Sequence, residues 1–362
     1  MKTGRTIQDL ASELARQAAT KKDFIADSRK LSMVVRSADS ENPNNQVMLD
    51  GINGGLAIKP IAHSQFANRL GIPKTYYDRM LAEAPDLLAT NVNRWFQQQP
   101  SKTLVRTLDG GVRAVLSDSY RPLDNLDLAE AVLPKLLQLG SQVVSGEVTD
   151  SRFYLKAVTD RIQGEVKHGE LIQAGVSISN SEVGLGSLRV EALDYRLVCL
   201  NGMIREVAVR KAHLGRGSRG QDAIEDAREY FRTETRIADD RAFFLKVQDA
   251  TASMFDAIKF NKRLDQYREV ATRTIEADPI KVVEVTAKRF GFNETETSSV
   301  LQHLIRGGDL SAWGLANAVT RASQDLSDYD RATEFEKLGG DIVELPQSAW
   351  KSISEPSAVM AS

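Results

Sequence analysis

The fold is decided by the stretch between residues 141 and 211, in which apolar and polar residues alternate. Its four segments read SQVVSGEVTDSRFYLKAVT (141–159), ELIQAGVSISNSE (170–182), GSLRVEALDYRLVCLNG (186–202) and MIREVAVRK (203–211). A period of two places successive side chains on opposite faces of a sheet, and turn residues separate the segments. The sequence therefore predicts a central antiparallel sheet of roughly four or five strands.

Helical patterns lie on both sides of this sheet and predict an α+β protein. Before the sheet we expect an amphipathic opening helix, three short helices between 61 and 99 that are broken at 71–73 and near Pro85, a hairpin turning at 109–111, and a helix ending at Gly140. After it we expect one long helix from about Asp222 to Phe260 and shorter helices beyond. The predicted divisions are 1–50 (N-terminal helix and loop), 51–140 (helices and hairpin), 141–220 (antiparallel sheet with a basic loop), 221–345 (helical region) and 346–362 (disordered tail).

The composition is that of a globular protein, with 42% apolar and 27% charged residues in 362. No run reaches the roughly 18 to 20 apolar residues that a membrane span needs. The opening residues also lack the apolar stretch of a signal peptide. These patterns predict a cytoplasmic protein with no membrane partner.

The sequence shows no motif of metal, cofactor or covalent chemistry. The four histidines are widely separated, and Cys199, the only cysteine, has apolar neighbours that predict a buried, inert thiol. We predict no metal, no cofactor and no catalytic residue, so an enzyme is the less favoured class. One enzymatic alternative stays open, a nuclease whose carboxylates meet only in the fold. Its candidate carboxylates are Asp118, Asp124, Asp127, Glu182, Glu191 and Asp194.

Two other segments have a structural explanation beside a functional one. SQFANRLGIPKTYYDRML (64–81) has the spacing of a helix-turn-helix, but aromatic residues at helical spacing usually face a core. The glycines at 184 and 186 offer backbone N–H groups to a phosphate, yet their spacing does not match known phosphate loops. A long hairpin tip is the simpler prediction for them.

The strongest functional signal is a basic segment after the last predicted strand. Between Arg205 and Arg219 there are five basic residues and one glutamate, and glycines allow close approach of the backbone. Such a loop suits the closely spaced charges of a nucleic-acid backbone. Further arginines on the predicted long helix alternate with glutamates and equally fit a solvated face. The predicted nucleic-acid-binding residues are Arg205, Arg210, Lys211, His213, Arg216, Arg219, Arg228 and Arg232.

Single-stranded DNA is the favoured partner, because nearby aromatic side chains can stack on bases, although they equally fit a core. These aromatic residues are Phe153, Tyr154, Tyr195, Tyr230 and Phe231. Apolar residues on several faces of the C-terminal helices predict a homo-oligomer. An alternative function is counter-defence or regulation by binding a host protein, for which the acidic surface between Asp222 and Asp240 would matter more.

Three motifs together resemble a known family, the phage- and plasmid-borne proteins grouped as domain of unknown function 932. The motifs are SISNSEVGLGSLRVEALDYRLVCLNGMI (177–204), LSDSYRPLDN (116–125) and LSAWGLANAVTRASQD (310–325). The resemblance extends from Ala57 to Leu326 and supplies no catalytic residues. It implies a mobile-element protein that serves recombination, replication, entry into a new host or evasion of host defence.

The predicted architecture also looks like the core of single-strand annealing proteins of the Rad52 and phage recombinase type. Those proteins form rings or helices and hold single-stranded DNA in a basic groove. This likeness rests on architecture rather than on a shared motif. It implies an oligomeric, non-enzymatic protein that promotes annealing or recombination.

Overall fold

The computed structural model describes residues 1–37, 45–52, 54–211 and 233–355. Within these residues the α+β class is confirmed, with two sheets and helices at both ends of the chain. The loop expected at 37–46 lies mostly outside the described residues.

The N-terminal part contains a mixed sheet. Its elements are α1 (Ile7–Thr20), β1 (Lys22–Asp27), β2 (Ser32–Arg36), β3 (Gln46–Asp50), β4 (Leu56–Ile58), α2 (Pro60–Arg69), α3 (Lys74–Glu83), α4 (Pro85–Gln98), β5 (Lys102–Leu108) and β6 (Gly111–Ser117). The strand order is β1-β5-β6-β4-β3-β2, in which β4 and β6 are parallel. The three short helices and the β5–β6 hairpin are confirmed. Asp109 and Gly110 at the turn both have positive φ, 54° and 74°, as a tight hairpin requires.

The description of residues 1–50 as a helix and a loop is wrong, because β1, β2 and β3 all lie there. These strands have five or six residues each, and β4 has three. The strand-like pattern of KLSMVVRS (30–37) does indicate β2, but β1, β3 and β4 hold too few alternations for a period of two to stand out from the sequence. Their pairing with the β5–β6 hairpin, made across long sequence separations, makes them part of a sheet.

The central sheet is a five-stranded antiparallel meander, as predicted. After α5 (Asn125–Gln138), its strands are β7 (Gln142–Val148), β8 (Phe153–Glu165), β9 (Leu171–Asn180), β10 (Leu188–Arg196) and β11 (Asn201–Lys211). Their order is β11-β10-β9-β8-β7, so β11 is an edge strand. Every strand follows its neighbour in sequence, which explains why alternation alone predicted this sheet.

The two faces of the central sheet differ in polarity. One face presents residues such as Leu155, Val176 and Ile178 to an apolar core shared with α1 and α5. Burying a side chain of this size contributes about 1.5–3 kcal/mol. The other face presents Lys156, Ser177 and other polar residues, all of them buried. Buried charges on this face need partners, and the C-terminal helices supply them.

The C-terminal part is helical. Its helices are α6 (Thr233–Ser253), α7 (Ala257–Val270), α8 (Pro279–Phe290), α9 (Glu294–Gly307), α10 (Ala312–Ala322), α11 (Tyr329–Val343) and α12 (Gln347–Ser354). Most begin at a capping side chain, such as Asn293, whose side chain forms a capping box with Glu296. Helix α10 is almost wholly buried between its neighbours.

The predicted long helix is shorter than expected. It ends at Ser253, and Asp256 then accepts hydrogen bonds from the N–H groups of Ile258 and Lys259 to begin α7. The cap competes with continuation of the helix, so the chain bends where periodicity alone predicted a straight segment. The expected start of this helix, 222–232, lies outside the described residues.

One more expectation changes. The tail predicted as disordered from 346 includes α12, whose Trp350 and Ile353 are buried. Among the apolar residues of these helices that favoured self-assembly, Trp313 and Val247 are buried within the chain itself, whereas Ile258 is 82% exposed, so the homo-oligomer stays a prediction. In the described residues, no helix combines the length and the apolar character that crossing a membrane requires.

Candidate nucleic-acid interface

Most of the predicted basic segment lies outside the residues that the structure describes. His213, Arg216, Arg219, Arg228 and Arg232 lie outside the described residues, as do Tyr230 and Phe231 among the aromatic candidates. Arg210 and Lys211 are the last two residues of β11. The basic segment therefore begins, in sequence, within the edge strand of the central sheet.

Arg205 does not belong to an exposed basic surface. It is 7% exposed, and its Nη2 lies 2.9 Å from Oε1 of Glu344 and donates to Oε1 of Gln266 at 2.9 Å. Its guanidinium also lies 5.1 Å from the centre of the Tyr267 ring. The alternation correctly predicted that Arg205 lies on a strand. Helices cover the face of β11 that Arg205 occupies, so its guanidinium forms an ion pair within the protein.

A cluster of cations lies at the end of the central sheet where β10 begins and β11 ends. The Nζ of Lys337 is 2.8 Å from Oε2 of Glu191, and Nη1 of Arg189 is 3.4 Å from Oε1 of the same carboxylate. Arg152 donates to the backbone oxygen of Leu185 and has no carboxylate partner in the part of the chain that the structure describes. Two of these cations thus share the carboxylate of Glu191, and the third has no carboxylate within ion-pair distance among the described residues. We call Arg152, Arg189 and Lys337 the sheet-end cluster.

The electrostatics of Lys337 reflect this excess of positive charge. Burial lowers the pKa of Lys337, Glu191 opposes that effect, and the charges of Arg189 and Arg152 lower the pKa further. In addition, the Nε of Arg189 is buried and has no hydrogen-bond partner among the described residues. A buried donor without an acceptor is uncommon in folded proteins.

The strand register connects the sheet-end cluster to the predicted basic segment. Arg189 pairs with Arg210, and Leu188 pairs with Lys211. In the ladder, position 210 therefore lies directly beside Arg189 of the cluster, whereas position 211 lies beside the apolar Leu188.

The aromatic residues in the described structure are not available for base stacking. Phe153 is fully buried and Tyr154 is 4% exposed. Tyr154 packs against the ring of Tyr329, with 5.3 Å between centroids. Tyr195 is half-buried next to an apolar cluster. The alternative that these rings belong to the core is confirmed for Phe153 and Tyr154.

The carboxylates of the nuclease alternative do meet in part, but cations occupy them. Lys21 Nζ lies 2.6 Å from Asp124 and 3.8 Å from Glu182, and Arg106 Nη2 lies 3.0 Å from Asp124. Arg113 pairs closely with Glu182. These contacts fasten the β9–β10 turn to the N-terminal sheet rather than leaving an open acidic site.

The other candidate carboxylates are also engaged or isolated. Asp194 binds Arg263 through both oxygens, at 2.8 and 3.0 Å, and accepts from the hydroxyl of Tyr267. Asp118 is exposed on the loop after β6. Burial and the charge of Asp124 raise the pKa of Asp127. No group of three or more possible metal ligands occurs within the described ranges.

Two weaker sequence signals are explained by packing. In the helix-turn-helix candidate, Phe66 and Tyr77 are buried in the N-terminal core, which agrees with the structural alternative. The glycine-containing turn joins β9 and β10 as a hairpin tip, and a Cβ on Gly184 would lie 2.6 Å from Leu116. That glycine has φ +75°, so the turn needs it for both space and backbone conformation.

The prediction for Cys199 needs correction, since the thiol is partly exposed rather than buried. The run YRLVCLNG does not continue a strand. Leu200 has φ 51° and the chain turns there between β10 and β11, leaving Val198 60% exposed. An apolar stretch can form a turn when the strands on either side of it pair with each other as an antiparallel hairpin, as β10 and β11 do here.

Sequence reasoning missed all three residues of the sheet-end cluster and named only Glu191, as a candidate carboxylate. The alternation of β10 could have indicated that Arg189 and Glu191 share one face. Lys337 comes from α11, far along the chain, and no local pattern could connect it to them. Comparisons with models of protein families, with curated proteins and with solved structures find no match for the chain. The resemblance to the phage- and plasmid-borne family therefore stays a prediction.

Proposed function

We propose that this protein binds nucleic acid through the sheet-end cluster and the basic segment that follows β11, by contacts to the phosphates that single- and double-stranded DNA share. The observation that supports this most directly is that Arg189 and Lys337 share the carboxylate of Glu191, that the charge of Arg152 also acts on Lys337, and that position 210 pairs with Arg189 in the ladder. The sequence beyond Lys211 contains further arginines, among them Arg216 and Arg219.

The physical argument is electrostatic. The chain as a whole carries a formal charge of −2, so positive charge gathered at one place is not a consequence of overall composition. Cations that lack acids nearby gain from phosphate contacts, which also release counterions from the nucleic acid. Base-specific readout is not part of the proposal, since the aromatic candidates Phe153 and Tyr154 are buried.

The test is fluorescence anisotropy with single- and double-stranded oligonucleotides at several salt concentrations. With three to five phosphate contacts, we expect a slope of log K against log salt of about −2 to −4 for single strands. The triple variant R152Q/R189Q/K337Q removes three cations, so the slope should become shallower by about 2 and the affinity at low salt should fall at least about tenfold.

A matched control removes the same charge elsewhere. The triple variant R29Q/K74Q/R79Q changes exposed cations of the N-terminal part. We expect it to bind like the wild type. Equal loss in both variants would reduce the effect to net charge alone, and wild-type protein that binds neither oligonucleotide at low salt would refute the proposal. Thermal unfolding of each variant verifies that it is folded.

A further inference from the structure

A second cationic site lies at the opposite end of the β10–β11 hairpin. There the turn after Arg196, the end of α9 and one face of α10 line a cleft of about 270 Å³. Arg196 is seven residues from Arg189 along β10, so this cleft is roughly 23 Å from the sheet-end cluster at about 3.3 Å per residue. It is therefore separate from the proposed nucleic-acid interface.

Arg196 is held in a fixed position in this cleft. Its Nη2 lies 2.6 Å from Oε1 of Glu170, and the indole N–H of Trp313 donates to the other oxygen of Glu170 at 2.8 Å. Its Nη1 donates to the sulfur of Cys199 at 3.1 Å. The Nε of Arg196 is buried and has no hydrogen-bond partner. The result is a positioned guanidinium with one donor still unused.

Two more arginines and a histidine line the same cleft. Arg321 donates to Oε1 of Gln324 at 2.6 Å, and neither Arg321 nor Arg306 pairs with a carboxylate in the described part of the chain. His303 also lines the cleft, and its Nε2 lies 2.7 Å from Oδ2 of Asp325. Three arginines from three different elements, β10, α9 and α10, thus line the same cleft.

The acidic residues around the cleft are already engaged. Asp309 lies 2.8 Å from the ammonium of Lys167 and accepts from the hydroxyl of Ser311 at 2.7 Å. Asp325 accepts from Ser299 at 2.6 Å as well as contacting His303. Lys167 neutralises Asp309, whereas Asp325 has only a hydroxyl and an imidazole as close partners and its charge also acts on Arg321. Glu170 balances Arg196, so Arg306 is the arginine of the cleft that is most available to an external anion.

We propose that this cleft binds the phosphoryl group of a small molecule. The guanidinium fork matches the geometry of a phosphate oxyanion and binds it with charge-assisted hydrogen bonds. The volume is slightly below the roughly 300 to 1,000 Å³ of pockets that enclose drug-sized ligands, which favours a compact anionic group over a large apolar ligand.

Cys199 provides a direct reporter of occupancy, because it is the only cysteine, is partly exposed and lines the cleft. We would measure its alkylation rate by neutral iodoacetamide in the full-length protein. Inorganic phosphate, pyrophosphate and a nucleoside monophosphate would be added at constant ionic strength, with chloride as the comparison anion. At saturation we expect alkylation to slow at least fivefold, and titration calorimetry with the same anions should show saturable binding.

The arms of this experiment also identify the source of the phosphoryl group. Tighter binding of the nucleoside monophosphate than of phosphate indicates a nucleotide, whereas equal binding indicates that the phosphoryl group alone is recognised. In R306Q/R321Q, protection should be lost, while R306K/R321K keeps the charge and should retain weaker protection. R79Q, which changes an exposed arginine on α3, should behave like the wild type.

Two results would overturn the proposal. One is an alkylation rate unchanged by millimolar phosphate or nucleotide, together with no heat of binding. The other is protection that persists undiminished in a folded R306Q/R321Q protein, since the anion would then bind elsewhere. Neither result depends on whether the sheet-end cluster binds nucleic acid, because the assay reports only the cleft.

Discussion

The buried ion pair between Lys156 and Glu336 gives a sharp test of how α11 is held on the polar face of the central sheet. Both side chains have 0% exposure, and Nζ lies 2.6 Å from Oε2. Lys156 also donates to the hydroxyl of Thr333 at 3.0 Å and lies 4.8 Å from the centre of the Tyr329 ring. Burial alone would lower the pKa of Lys156, but Glu336 and Tyr329 together raise it above its ordinary value, so the lysine stays charged.

Removing one partner should be far worse than removing both. K156M leaves the Glu336 carboxylate buried, where its Oε1 already has no hydrogen-bond partner. Breaking a buried pair in this way costs about 3–5 kcal/mol, whereas replacing both members with apolar residues is often neutral or stabilising. We therefore expect K156M and E336M each to cost about 3–5 kcal/mol, and K156M/E336M to cost much less than either.

The assay is urea unfolding monitored by tryptophan fluorescence, since Trp313 and Trp350 belong to the core that includes Phe335 of α11. The control is the exposed pair Arg79–Glu83, with an Nε–Oε2 distance of 2.9 Å and side chains 72% and 64% exposed. A double-mutant cycle on this exposed pair should give a coupling free energy below about 0.5 kcal/mol, whereas the cycle on Lys156 and Glu336 should give at least about 2 kcal/mol. Additive costs in the buried cycle, or a K156M cost under about 1 kcal/mol, would refute the reasoning.

Two further predictions concern His63 and the glycines. Burial, helped by the charge of Lys74, lowers the pKa of His63 from 6.5 to about 4, so the folded protein resists protonation of this side chain. The free energy of unfolding should therefore fall by at most about 3 kcal/mol as the pH decreases from about 6.5 to 4. In urea unfolding at several pH values, H63Q should lose this pH dependence and H168Q should keep it, and an equal fall in H63Q would contradict the assignment to His63. G340A should cost about 1–3 kcal/mol, because a Cβ there would lie 2.3 Å from the backbone oxygen of Ile204. G307A meets no atom within 4 Å at the end of α9 and should be neutral or slightly stabilising, so similar thermal midpoints for the two variants would contradict this view of the α11–β11 contact.

The sequence predicts those elements best whose neighbours in space are also neighbours in sequence. The meander from β7 to β11 pairs each strand with the next one, so local alternation was enough to predict it. The N-terminal sheet is different. There β1 pairs with β5, and the three-residue β4 lies parallel to β6, so its formation depends on contacts that no local period reports.

The same distinction applies to the candidate site. Arg189 and the end of β11 belong to one hairpin, and the sequence indicated that positive charge gathers there. Lys337 joins them from α11, which the sequence could not show. For Arg205 the sequence correctly predicted a strand but wrongly predicted an exposed side chain. Whether one face of a strand is buried depends on which helix covers it, and the local sequence does not show this. The ion pair of Arg205 with Glu344 crosses 139 residues of sequence.

The distribution of paired and unpaired cations is the strongest physical reason to look for anionic ligands at the hairpin ends. On the covered face, each buried cation meets an acid, as in Lys156–Glu336 and Arg263–Asp194. An uncompensated buried charge would cost several kcal/mol, so stability alone accounts for those pairs. It does not account for Arg152, or for Arg306, which pair with no carboxylate among the described residues. These residues contribute little to folding, and substitution by glutamine should leave the thermal midpoint nearly unchanged while altering anion binding. A large loss of stability in R152Q or R306Q would show instead that these cations serve the fold.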